Sequence, residues 1–192
     1  DGYGIRFEKK RISEVLRKVE AQYNYNYIDH VMDNYSLRTR TAANYSWNNP
    51  DRETKGFRAS ADLGLGAAVV LTVGADRQEN THTLRAYSGT TLVGVDSRAR
   101  GKDLDASTTG AFGELTYLLG ERQRLVGGLR HDRYSTDRYV YTTGTANGSV
   151  DDNLNSGFLR FEQDLAGLPA TWYLGLGRAQ RAMDHWEATT YN

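Results

Sequence analysis

Residues 19–27 constrain the fold of this chain more than any other stretch. Val19, Ala21, Tyr23, Tyr25 and Tyr27 fall on one parity, and Glu20, Gln22, Asn24 and Asn26 fall on the other. Side chains two apart share a face in a β-strand, so this alternation predicts a strand with one apolar, aromatic face and one polar face. His30 and Met32 continue the polar parity. An imidazole and a thioether are therefore expected to point the same way at the strand's far end. The strand is predicted over residues 16–32. That exceeds the roughly 9–11 residues that carry a strand across a bilayer, so its end should project beyond it.

The same two-residue period recurs along the chain. Tyr3, Ile5 and Phe7 alternate with Gly4, Arg6 and Glu8. Phe57, Ala59, Ala61 and Leu63 alternate with Arg58, Ser60 and Asp62. Val69, Leu71, Val73 and Ala75 alternate with Val70, Thr72, Gly74 and Asp76. Further strands are predicted over residues 106–119, 124–136, 157–165 and 172–177, giving about eight. The connections alternate in length: short near 13–15, 64–66, 120–122 and 166–169, and long, polar and loop-like over 33–51, 80–105 and 137–153. Asn49-Pro50-Asp51 is a turn signal inside the first long stretch. A short helical turn over residues 12–19 is a minor alternative to strand there. Short turns at one end and long loops at the other are the rhythm of an antiparallel transmembrane β-barrel.

Composition agrees with a barrel that is wet inside and apolar outside. The chain of 192 residues has 13 Tyr and 20 Gly but a mean hydropathy of −0.66. No run approaches the roughly 20 apolar residues of a membrane helix, which leaves barrel strands open. The 24 basic and 24 acidic side chains balance, so no electrostatic case exists for nucleic acid. The chain lacks Cys, which removes disulfides, thiolate ligands and thiol nucleophiles. It begins at Asp1 without a signal peptide and ends without a closing pattern. Residues 1–192 are thus expected to be one partial barrel domain, an internal piece of a longer protein.

Among side chains that carry chemistry, His30 and Met32 are the first metal-ligand candidates. Thioether is a soft ligand that favours Cu(I), and imidazole binds either copper oxidation state. Met183-Asp184-His185 repeats the spacing of two at a second place. His82, expected in a loop, and His131, expected near a strand end, are isolated. Glu162 and Asp164 share a strand face, as paired glycosidase carboxylates would. Arg160 lies on that face too, which favours a charge ladder in a wet lumen. No Gly-x-Ser-x-Gly elbow is present. The tyrosines suit the aromatic girdles of a membrane barrel better than a stacking surface for bases or sugars.

Several segments resemble TonB-dependent outer-membrane receptors, and specifically their copper branch. Asp29-His30-Val31-Met32-Asp33-Asn34-Tyr35 is similar to that branch's His-x-Met segment. Gly110-Ala111-Phe112-Gly113-Glu114-Leu115 and Arg124-Leu125-Val126-Gly127-Gly128-Leu129-Arg130 are similar to its paired mid-barrel strands. Ser156-Gly157-Phe158-Leu159-Arg160-Phe161-Glu162 and Tyr173-Leu174-Gly175-Leu176-Gly177-Arg178-Ala179-Gln180-Arg181 resemble its later strands, and Asp184-His185-Trp186-Glu187 resembles the segment after them. The resemblance implies a non-enzymatic transporter in the outer membrane of a Gram-negative bacterium. Its barrel would have 22 strands, filled by an N-terminal plug on which the TonB energy-coupling complex pulls. It further implies that His30 and Met32 are the barrel's copper ligands, with copper as cargo, lipid around the barrel and the remaining ligands on a plug Cys-x-x-x-Met. No plug or energy-coupling box lies in this chain. Two other readings stay open: a receptor for another metal chelate or siderophore, and a self-contained eight-stranded ligand-binding barrel. The latter requires a polar exterior and an apolar interior.

Overall fold

The computed structural model of the protein describes residues 1–37, 39–183 and 187. They form one antiparallel sheet. Its strands are β1 (Gly2–Lys10), β2 (Leu16–Asp29), β3 (Met32–Asp33), β4 (Tyr45–Gly64), β5 (Val69–Gly89), β6 (Gly101–Leu118), β7 (Gln123–Val140), β8 (Thr145–Asp164) and β9 (Thr171–Arg178). Neighbours in sequence are neighbours in space, in the order β1-β2-β4-β5-β6-β7-β8-β9, with β3 also on β4. The all-β expectation holds, and β3 continues the line of β2, so eight strand positions carry nine strands. β1 and β9 lie at the two ends of the sheet.

The strands are longer than the alternating cores predict. β4 and β5 have 20 and 21 residues, or about 65–70 Å of extended chain, against a hydrophobic band about 25 Å tall. Three stretches expected as long loops are therefore partly strand. β4 starts at Tyr45, β5 runs on to Gly89, β6 starts at Gly101, and β7 and β8 meet across residues 141–144. These extensions carry polar side chains on both faces because neither face meets lipid, which erases the alternation that marks the membrane-crossing part. The hairpin before β2 is a turn: the Ser13 hydroxyl accepts from the Leu16 amide at 2.9 Å, and strand begins at Leu16.

Cross-strand partners share a face, so the register sorts side chains into two sets. One set holds Tyr3, Ile5, Phe7, Val19, Tyr23, Phe57, Leu63, Leu71, Val73, Leu115, Tyr117, Leu129, Leu159, Leu174 and Leu176. Many of these are strongly exposed: Ile5 at 68%, Leu129 at 77% and Leu176 at 77%. A contiguous exposed apolar band of this extent is a lipid-facing surface. The other set holds Arg6, Glu20, Arg58, Asp62, Asp76, Glu114, Arg124, Arg130, Asp132, Arg160 and Glu162, laced by salt bridges. Polar interior and apolar exterior is the arrangement of a membrane barrel. It is the reverse of the self-contained soluble barrel, and the sheet does not close between β1 and β9.

The band crosses the strands obliquely. Ile5, at its centre on β1, pairs with Tyr23, Tyr23 with Phe57, and Phe57 with Arg77. Leu174, at its centre on β9, pairs with Phe161, then Leu125, Tyr117 and Val69. Both traces land on β5, at Arg77 and Val69, eight residues apart over seven strand-to-strand steps. A shift of about one residue, or 3.3 Å, per 4.8 Å strand spacing corresponds to a strand tilt of about 35°. That is the tilt of a transmembrane barrel wall.

Candidate metal centre at the tip of the second strand

His30 and Met32 lie where the long strand predicted over residues 16–32 is interrupted. β2 ends at Asp29 and β3 begins at Met32. The register nevertheless runs straight through. Asp29 faces Asp51 and Met32 faces Asn48, so three steps on one strand match three on the other. His30 therefore stands opposite Pro50, and its amide donates to the Pro50 carbonyl at 3.3 Å. His30 and Met32 keep the parity of Asn24 and Asn26 and belong to the polar face, about 7 Å apart along the strand. Both are exposed, Met32 at 43%.

The cause of the interruption is Pro50. In an antiparallel pair that exchanges hydrogen bonds, each residue gives one N–H and takes one. Pro50 has no N–H, so the His30 carbonyl receives none from the ladder. Its donor is a side chain, the Asn49 Nδ2 at 2.8 Å. Towards β5, Pro50 faces Leu84 in a wide pair that needs no N–H from it, so the proline is accepted inside a sheet. Asn49-Pro50-Asp51 is strand, not the turn its composition suggests.

On the opposite face from His30, the same tip is packed and polar. Trp47, Asn49 and Asp51 are buried, and Val93 and Arg100 of the 90–100 connection reach them. Trp47 Nε1 donates to the Val93 carbonyl at 2.8 Å. Arg100 donates to the Asn49 carbonyl at 2.9 Å and pairs with Asp51 at 3.1 Å. Tyr27 donates to Asp51 at 2.8 Å. No single sequence motif announces this cluster, because its members come from three separate segments. The buried Trp in a polar run and the Pro in a strand were its only local signals.

The other candidates separate. His82 is not in a loop: it lies in β5, 6% exposed, with its Nδ1 2.5 Å from the Asp103 carboxylate. His131 sits mid-strand in β7 with its Nδ1 2.9 Å from the Asn155 amide oxygen, on the face of the apolar band. Met183 accepts on its carbonyl from Tyr134 at 3.3 Å, while Asp184 and His185 lie outside the described residues. Glu162 is a charge-ladder member, bound by Arg124 and Arg160 at 2.5 Å each. An open depression of about 470 Å³, with Phe112, Phe158, Arg58 and Arg130 in its lining, sits at mid-sheet, far from His30. Among the described residues, no three His, Asp or Glu side chains converge on a metal position. His30 and Met32 thus place two candidate donor side chains on one face.

A family model of the TonB dependent receptor-like β-barrel matches residues 2–192. The chain belongs to the TonB-dependent receptors. A solved structure titled copper transporter OprC superposes with a TM-score of 0.84 and 40% sequence identity, covering 97% of this chain and 31% of that one. No curated relative matches the chain. The chain thus spans about a third of the length of this solved relative, and its open sheet is an arc of a receptor barrel. In such a barrel the charged face is the lumen and the apolar band meets lipid. His30 and Met32 are on the lumen side of a TonB-dependent receptor wall.

Proposed function

We propose that residues 1–192 are a partial barrel domain of an outer-membrane TonB-dependent receptor that takes up copper, and that His30 and Met32 are the barrel's copper ligands. The observation that carries this reading is 40% identity over 97% of the chain to a copper transporter. The unbroken register at the strand tip supports it, since it keeps an imidazole and a thioether on one lumenal face. Copper is cargo, not a resident cofactor. A neutral thioether and imidazole suit a soft ion that must bind and then leave, because neither adds a negative charge to hold it. Two protein ligands make a weak site, so the remaining ligands come from outside this chain, on a plug that also receives the pull of the TonB complex.

The test is copper bound per protein in the complete receptor. His30→Ala and Met32→Leu should each reduce bound copper, and the double variant should abolish the site while outer-membrane assembly continues. Unchanged copper stoichiometry in the double variant would overturn the assignment. Loss of uptake for a copper chelate, with bare-ion binding intact, would assign the receptor to the chelate.

A further inference from the structure

We infer that Asn49, held by Arg85 and Arg100, is a positioning residue for the His30–Met32 pair. The inference rests on the copper reading only for its consequence in metal binding; the hydrogen bonding stands apart from it. Asn49 is 1% exposed, and its side-chain amide is fully engaged. Its Oδ1 accepts from Arg85 Nε at 2.7 Å and from Arg100 Nη2 at 2.5 Å. Its Nδ2 donates to the His30 carbonyl at 2.8 Å and to the Asp29 carboxylate. A guanidinium can only donate, so the amide oxygen must face the arginines and the NH₂ must face His30 and Asp29. The orientation is forced by its partners.

This amide does the work of the N–H that Pro50 lacks. Without it, the His30 carbonyl would be unpaired at the point where β2 and β4 stop exchanging backbone hydrogen bonds. The tip would then fray from Asp29 onward, as strand ends without ladder bonds do. Fixing the His30 carbonyl fixes the backbone on either side of it, and with it the directions of the His30 and Met32 side chains. The anchor extends into the β5–β6 connection. Arg100 enters from its C-terminal end, and Arg85 pairs with Asp96 inside it at 2.7 Å. Order in residues 90–100 is thereby coupled to the metal-facing strand through this amide, alongside the direct pair of Arg100 with Asp29 at 3.4 Å. Outer-shell partners of this kind commonly alter metal affinity by about ten- to a hundredfold when removed.

The complete receptor tests this with Asn49→Asp, alone and combined with Pro50→Ala. Asp keeps an oxygen for both arginines but turns a second oxygen, with no hydrogen to give, towards the His30 carbonyl and Asp29. Pro50→Ala restores a backbone N–H opposite His30. Two readouts are taken: hydrogen exchange of the amides of residues 30–33 in metal-free receptor, and Cu(I) affinity by competition with a chromophoric chelator. Asn49→Asp should speed exchange in that segment with the mid-barrel strands unchanged and weaken Cu(I) binding about ten- to a hundredfold, and Pro50→Ala should recover both in part. Unchanged exchange in Asn49→Asp overturns the positioning role, as does failure of Pro50→Ala to recover it. Faster exchange with unchanged affinity, in a receptor whose copper is lost on His30→Ala, overturns it as well. If His30→Ala and Met32→Leu leave copper bound, the copper reading falls by itself, and the exchange data still decide whether Asn49 holds the segment.

Discussion

Arg130 on β7 reaches over β6 to Asp76 on β5, placing Nη1 and Nη2 2.8 and 2.7 Å from its two carboxylate oxygens. The same guanidinium holds Asp132 on its own strand. The span is open because the residue between them is Gly110, which pairs with Asp76 on one side and Asp132 on the other. A Cβ at Gly110 would collide with Asp132 Oδ1 and Arg130 Nη2. A glycine here is the gap through which a lumen ion pair closes across a strand.

Gly110→Ala and Asp76→Asn should therefore disable the same interaction. Each is expected to cost about 1–3 kcal/mol, the range for losing a hydrogen bond to a charged partner. Together they should cost little more than the larger single effect, because contacting residues do not add. Urea unfolding of the receptor in liposomes checks this. Full additivity would mean that Gly110 matters for some reason other than admitting Arg130.

The assignment of faces is tested on two consecutive residues. Leu115 belongs to the apolar band, and Glu114 to the charged face. Leu115→Arg should cost about 2–4 kcal/mol and reduce membrane assembly, as a charge facing lipid near mid-bilayer does. Glu114→Arg should assemble normally. Folding yield into liposomes of fixed thickness, measured by heat-modifiable mobility, separates the two. Equal yields would contradict the lipid-facing assignment of Leu115.

Much of this fold was legible because the bilayer imposes a period of two. Wherever a strand separates lipid from lumen, as at residues 57–63, one parity must be apolar and the pattern survives in the sequence. Above the bilayer that constraint is gone. Residues 80–89 and 101–105 are strand without alternation, held by ladder bonds and polar contacts such as Thr81 to Asp105 at 2.9 Å, so composition alone resembles loop. At the site, the parity of His30 and Met32 could be counted directly. The Asn49 brace could not, because it depends on which N–H a proline removes from the facing strand, and that requires the register.

Lys102 lies on β6 well above the band, and it carries a pH dependence of known sign. Its ammonium donates to Asp105 at 2.7 Å, and that hydrogen bond, reinforced by the charge attraction, raises its pKa above the ordinary lysine value. A raised folded-state pKa means stabilisation that is complete below the unfolded pKa of about 10.4 and lost as pH rises through the folded value. Both side chains are partly exposed, so the contribution is about 0.2–1 kcal/mol. The stability difference between wild type and Lys102→Met should stay constant from pH 7 to 10 and shrink above that. A difference that vanished on lowering the pH from 9 to 7 would rule out this pairing as its source.

Trp47 secures the β5–β6 connection from beneath. It is fully buried, its indole N–H donates to the Val93 carbonyl, and its ring lies 6.1 Å from that of Tyr87. Trp47→Ala removes both packing and donor and should cost about 3–5 kcal/mol locally. Trp47→Phe keeps most of the packing and loses one hydrogen bond, at about 0.5–1.5 kcal/mol. The connection contains two tryptic sites. Arg98 is exposed, and Arg100 is tied to Asn49 and Asp51. Limited trypsin digestion of the receptor in liposomes should cut at Arg98 and Arg100 fastest in Trp47→Ala, more slowly in Trp47→Phe and slowest in wild type. The order reflects how much of the anchor each variant retains. A Trp47→Ala receptor cut no faster than wild type at these two arginines would show that the connection is held elsewhere.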